Sequence, residues 1–175
     1  IGRILTDIAF RHGDAREVAR LAEAHGCLTE FRSAGPFGPW ELLGFDHAYP
    51  PESARGPLEG EYDLGPTRGR RPTRSLGARG CAVHMGGGQV AAGGTTYAQG
   101  FVEIPTDGQY VLRVETPNSV ELFVDGDSLF RLDHRVDPLV RTTFHRHRFT
   151  AGRHAILAKV STRHPNPVLA IAVID

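Results

Sequence analysis

Long apolar runs are missing from this sequence: nowhere do about 18 apolar residues follow one another, so no membrane span is predicted. Net charge is missing too. Lys plus Arg and Asp plus Glu stand at 20 each, which leaves no field to draw in nucleic acid, and the basic stretch from Arg68 to Arg74 reads as a local loop feature. Lysine is nearly absent, with Lys159 against 19 arginines; the bias reads as genomic base composition and carries no functional weight. The chain opens at Ile1 with no Met, no charged leader and no cleavage site, and is expected to be a segment of a longer protein. Cysteine is scarce as well. Cys27 and Cys81 form either a disulfide in an oxidising compartment or two buried thiols.

What is present is ordinary globular material. At 175 residues, 40% hydrophobic and 23% charged, the chain is long enough for one full core and too short for two ordinary domains. Ile1, Ile4, Leu5 and Ile8 recur on one helical face. After a break at His12-Gly13, Asp14 is placed to cap a second helix, with Glu17 at the capping-box position and an apolar stripe through Val18, Leu21 and Ala22 to a stop at Gly26. Residues 1–26 are therefore predicted as a helical hairpin, the end of a tetratricopeptide-like array. Residues 27–175 change to short alternating strands punctuated by Gly, Pro and Asp.

Within that second part, residues 33–80 hold most of the chain's prolines and read as a wrapping segment with few ladder hydrogen bonds rather than a sheet interior. Alternation is clear later. Tyr110, Leu112 and Val114 point one way in QYVLRVE, and Val120, Leu122 and Val124 do so in SVELFVDG. Strands are also predicted over 97–104, 128–132, 141–149, 154–161 and 168–174. Both rows of the last are apolar, which places it centrally or beneath the N-terminal helices. The fold class is mainly β, a two-layer jelly-roll-like antiparallel sandwich preceded by a short helical hairpin.

The stretches FRSAGPFGPWELLGFDHAYPPE (31–52) and TYAQGFVEIPTDGQYVLRVETPNSVELFVDGDSLFRLD (96–133) resemble a bacterial β-sandwich module of galactose-binding-like or protective-antigen-like type. The resemblance implies a setting beside tetratricopeptide helices in large multi-domain proteins, many of them exported, which favours an exported or periplasmic location. Sugar-binding members of that group carry an Asp-Asp pair before the strand that ends in Asp-Gly, and it coordinates calcium against the glycan. Here that place holds Thr116-Pro117-Asn118-Ser119, without a carboxylate, so the calcium-mediated sugar site is expected to be absent.

Candidate chemistry is sparse. Asp125-Gly126-Asp127 offers two carboxylates, but Asp-Gly between alternating strands signals a hairpin more strongly than a metal loop. His145 and His147 share one face of a strand. If the turn at Thr150 to Gly152 sets His147 opposite His154, three imidazoles converge as metal ligands; a slip of one residue instead buries Phe144 and turns both histidines outward. The Gly-rich run from Met85 to Ala91 formally contains G-x-G-x-x-A, but Gly93-Gly94-Thr95-Thr96 cannot continue a helix, so it reads as a loop. No nucleophile elbow is found. Trp40, Phe37 and Tyr49 either stack on a sugar or anchor the Pro-rich segment to the core.

Three functions follow as expectations. The first is a non-catalytic interaction or structural module of a larger bacterial protein, partnering other domains of the same chain or another protein, and needing no cofactor. The second is a calcium-independent carbohydrate-binding module using Trp40, Phe37 and Tyr49, with polysaccharide as partner. The third is a metal-dependent jelly-roll enzyme using His145, His147 and His154.

Overall fold

The computed structural model describes residues 11–38, 41–86, 93–134, 140–162 and 167–175. Of the expected helical hairpin, the first helix lies outside these residues. The second is α1, Ala15–Ala24. It starts where the Asp14 carboxylate accepts the Glu17 amide at 3.0 Å, satisfying an amide that helix geometry leaves without a partner. Val18, Leu21 and Ala22 form its buried face. The helix ends at Gly26, whose φ of 66° suits glycine, and a Cβ there would run into the Val173 carbonyl oxygen.

The remainder is β: β1 (Glu30–Phe37), β2 (Glu61–Asp63), β3 (Arg70–Pro72), β4 (Arg74–Gly77), β5 (Ala82–His84), β6 (Gly94–Ile104), β7 (Gly108–Thr116), β8 (Ser119–Val124), β9 (Asp127–Leu132), β10 (Arg141–Phe149), β11 (Gly152–Thr162) and β12 (Val168–Ile174). A six-stranded sheet has the order β4-β1-β6-β11-β8-β9, and a four-stranded sheet the order β10-β7-β12-β5. Strands β5 to β8 and β9 to β12 alternate between the sheets, so most short connections arch across the sandwich instead of closing hairpins. Among the described residues every strand pairing is antiparallel.

Period-2 alternation explains the core. Leu112, Val114, Leu169 and Ile171 of the smaller sheet meet Val120, Leu122, Ile156 and Val160 of the larger one, each at most 1% exposed. Beta12 lies between β7 and β5, and its second apolar row explains itself: Ala172 packs against Ala22 and Cys27 beneath α1. Cys27 and Cys81 are disulfide-bonded with Cα atoms 5.2 Å apart, so the bridge is the alternative realised.

The reading of residues 33–80 needs correction at its start. Beta1 is a sheet interior, paired with β4 on one side and β6 on the other, with a register shift between Ala34 and Phe37 that accommodates Gly35-Pro36. The wrapping itself is real. Residues 41–64 cross the outer face of the larger sheet and trap a second apolar layer in which Phe37, Leu58, Leu64, Tyr97, Phe123 and Leu157 are buried. Gln99, buried under that wrap, accepts the Leu58 amide at 2.7 Å and donates to the Gly56 carbonyl at 3.1 Å, supplying hydrogen bonds that no ladder provides there.

Candidate functional site

The wrap leaves a cavity of about 440 Å³ on the outer face of the larger sheet, within the size range of small-molecule sites. Phe37 and Tyr49 both line it, with Leu43, His47, Asp63 and Leu64. Phe37 comes from the end of β1 and is 1% exposed. Its ring stacks on Tyr49 with centroids 4.9 Å apart and meets the Tyr62 and Tyr97 rings edge-on. Phe37 is thus a core anchor that also floors a cavity. Tyr49 is half-buried, Leu43 is 67% exposed, and His47 lies at the rim with its ring edge against Tyr49 at 4.7 Å. Trp40 lies outside the described residues.

Behind the rim sits a polar cluster. Lys159, on β11, is 2% exposed and its Nζ lies 2.8 Å from Glu52 Oε1 and 2.9 Å from the His47 carbonyl oxygen. Tyr97, directly opposite Lys159 on β6, donates its hydroxyl to the same Glu52 oxygen. Burial, and then the bond to Glu52, push the Tyr97 phenol far above its ordinary pKa, so it remains a donor. The Tyr49 amide reaches Glu52 Oε1 at 3.4 Å. Arg131 stacks over the Phe45 ring at 4.3 Å and pairs with Asp46 and Glu121. Sequence reading missed this cluster, although a lysine amid the apolar residues of Ile156 to Val160 was a signal for a buried pair.

The histidines are distributed differently from the convergent arrangement. Strands β10 and β11 belong to different sheets: His145 lies opposite Leu112, His147 opposite Tyr110, and His154 opposite Val102. His145 and His147 do turn towards the inside, and Phe144 faces outward at 64% exposure. His145 stacks on Phe130 with centroids 3.5 Å apart, and burial lowers its pKa. Its Nε2 and the Thr143 hydroxyl are buried without a hydrogen-bond partner among the described residues. His154 uses both ring nitrogens, Nδ1 with Asp125 Oδ2 at 2.6 Å and Nε2 with the Thr150 carbonyl at 2.8 Å, so neither is open to a metal. Among the described residues no group of three or more His, Cys, Asp or Glu is placed to hold an ion.

Asp125-Gly126 is a tight hairpin turn, with φ of 52° and 92° and Val124 paired to Asp127. The Asp125 carboxylate is used internally, accepting the Ala155 amide at 2.8 Å through Oδ1. At the position where the calcium-binding acids stand in the resembled group, the Thr116 hydroxyl donates to the Val168 carbonyl at 2.7 Å and accepts from Asn118. Those side chains brace the β7–β8 turn. Residues 87–92 of the Gly-rich run lie outside the described residues.

No protein-family profile matches the chain, and no curated protein matches it. Among solved structures, a β-glucosidase from Kluyveromyces marxianus in complex with glucose is 10% identical with a TM-score of 0.50, covering 66% of this chain and 16% of that one. A family 35 carbohydrate-binding module from Clostridium thermocellum is 14% identical with a TM-score of 0.37, over 53% of this chain and 76% of that one. An anti-sigma factor domain-containing protein from Clostridium clariflavum is 13% identical with a TM-score of 0.44, over 84% and 42%. Likeness at this level concerns the β-sandwich fold alone. This chain spans about a sixth of the β-glucosidase it resembles, the 16% above.

Proposed function

We propose that the chain is a non-catalytic β-sandwich module, an interaction or architectural unit of a larger bacterial multi-domain protein, set beside tetratricopeptide-like helices. The supporting observation is how its ionisable groups are used: Lys159 with Glu52, His154 with Asp125 and Arg131 with Asp46 each tie one stretch of chain to another. Partners are other domains of the same chain or another protein, and the disulfide suits an exported setting. Calorimetry of this module with and without its native upstream sequence tests the reading. A docked module melts at a higher temperature when the upstream helices are attached, whereas identical melting with and without them contradicts it. Turnover of a glycoside or ester substrate by the purified module would contradict the non-catalytic part.

A second reading, calcium-independent carbohydrate binding, is favoured by the cavity that brings Phe37 and Tyr49 together with the polar groups of His47 and Asp63. An aromatic floor with a few polar groups at the rim is the chemistry by which proteins hold sugar rings. Trp40, the chain's sole tryptophan, is the reporter. Its fluorescence should change on saccharide titration in the presence of EDTA, and Tyr49→Ala should abolish the change. A flat titration across neutral mono- and disaccharides removes this reading.

A further inference from the structure

The sole lysine of the chain occupies a position where lysine is rarely tolerated, with its side chain 2% exposed on a central strand of the larger sheet. Its cross-strand neighbours are Tyr97 on β6 and Glu121 on β8, so its Cα is held by ladders on both sides. From that rigid base the ammonium reaches out of the sheet into the wrap and meets Glu52 Oε1 and the His47 carbonyl. Glu52 Oε1 in turn takes the Tyr97 hydroxyl and the Tyr49 amide.

The consequence concerns the cavity wall. Residues 41–46 and 50–53 are short 3₁₀ turns and take no part in either main sheet, so ladder bonds do not fix them. His47 and Tyr49, which line the cavity, lie between those turns. Polar bonds from both converge on Lys159 and Glu52, while Asp46, just before His47, is tied to β9 by Arg131. Tyr49 has little room to adjust on its other side, where its hydroxyl lies against the Gly38 and Gly44 backbones closely enough that a Cβ at either would collide with it.

We infer that Lys159 and Glu52 are positioning residues for the Phe37–Tyr49 cavity: a single buried ion pair, touching no ligand, presets both His47 and Tyr49 against the rigid sheet. The inference rests on the carbohydrate-binding reading for its ligand, and on the geometry alone for the presetting. A preformed wall spares the ligand the ordering cost of a floppy one, which is how such a pair raises affinity from a distance.

Two readouts in the same variants test it. Lys159→Met keeps the stem and removes the ammonium; Glu52→Gln keeps the shape and removes the charge. Amide hydrogen exchange should accelerate on the order of tenfold across residues 41–56 in Lys159→Met and less in Glu52→Gln, with β6, β8 and β11 unchanged. Affinity for whichever of glucose, galactose, xylose or their β-linked disaccharides binds the wild type should weaken by about tenfold in Lys159→Met, read by Trp40 fluorescence. Should Lys159→Met fail to fold, Glu52→Gln carries both measurements. Exchange that stays unchanged over 41–56 overturns the inference, even if saccharides bind. Wild-type protein that binds none of them overturns the carbohydrate reading, and the exchange then decides the presetting on its own.

Discussion

Asp125, in the turn of the β8–β9 hairpin, meets His154 on the neighbouring β11, Oδ2 to Nδ1 at 2.6 Å, while the far side of the same imidazole is held by the Thr150 carbonyl at 2.8 Å. Two acceptors on one ring select its doubly protonated form. Burial by itself lowers the His154 pKa, but the bonds to Asp125 and Thr150, with the charges of Asp125 and Glu103, outweigh it and leave the pKa raised.

A pH dependence of stability follows, and its sign is fixed. With the folded pKa above the unfolded one, the folded state holds this proton more tightly, so the contribution is complete below about 6.5 and is lost as pH rises through the folded value. His145 works in the opposite direction, since burial lowers its pKa and its share is lost as pH falls. Urea unfolding of wild type and His154→Gln at pH 5.5 and 8.5 separates them. The variant should be less stable by about 1.5 to 3 kcal/mol at the lower pH and by less at the higher one. A gap that widens with pH contradicts the assignment.

Truncating either partner of the buried ion pair should be expensive. Glu52→Ala leaves the Lys159 ammonium, 2% exposed, without its anion, and a loss of about 3 to 5 kcal/mol is expected in chemical denaturation; Lys159→Ala costs less, because the Glu52 carboxylate is 19% exposed and keeps the Tyr97 hydroxyl. A Lys159→Met, Glu52→Leu double variant should recover part of that loss, because no unpaired charge remains. Additive losses in the double variant would show that the pair is not coupled.

Removal of the disulfide should cost stability through the unfolded chain. The Cys27–Cys81 separation of 54 residues corresponds to about 4 kcal/mol in the chain-entropy treatment. Cys27→Ser/Cys81→Ser and the reduced wild type should therefore melt at similar, lowered temperatures. A variant that melts with the oxidised wild type contradicts this.

Two glycines with the same sign of φ should respond differently. Gly26 has φ of 66° and faces the Val173 carbonyl, whereas Gly13 has φ of 71° and open space around it. Gly13→Ala bears only the backbone strain, about 1 kcal/mol, and Gly26→Ala bears that strain plus displacement of β12. Thermal melting should rank Gly26→Ala well below Gly13→Ala. Equal losses would mean that β12 yields freely at Val173.

Much of the sandwich was legible because burial on one face imposes strict alternation. Strands β7, β8, β10 and β12 can be marked from their residues alone, and so can the cap at Asp14. What alternation does not encode is which sheet a strand joins. Beta10 and β11, separated by Thr150 and Ala151, look like a hairpin; instead the chain arches between sheets, with the Ala151 amide bonded to Asp107 at 2.6 Å. That long-range bond has no local signature, and the expected convergence of His145, His147 and His154 depended on a β10–β11 hairpin instead. Beta1 was hidden by its own Gly35-Pro36, which marks a bulge in a paired strand as readily as a loop. Phe37 and Tyr49, singled out by residue type, both line the cavity, whereas His47 and Asp63 reach it only through the path of the wrap and Lys159 stands behind it on β11.

The bond between Cys27 and Cys81 closes a covalent ring that contains β1, β2, β3 and β4, the residues lining the cavity from Phe37 to Gly65, and the ion-pair partner Glu52. A peptide bond cut in the β2–β3 loop, beside the exposed Arg70, would therefore release neither half of the wrap. Each half would gain one free end at the cut and stay joined to the other through Cys27 and Cys81. Such a nicked protein would migrate as a single chain until a reductant divided it.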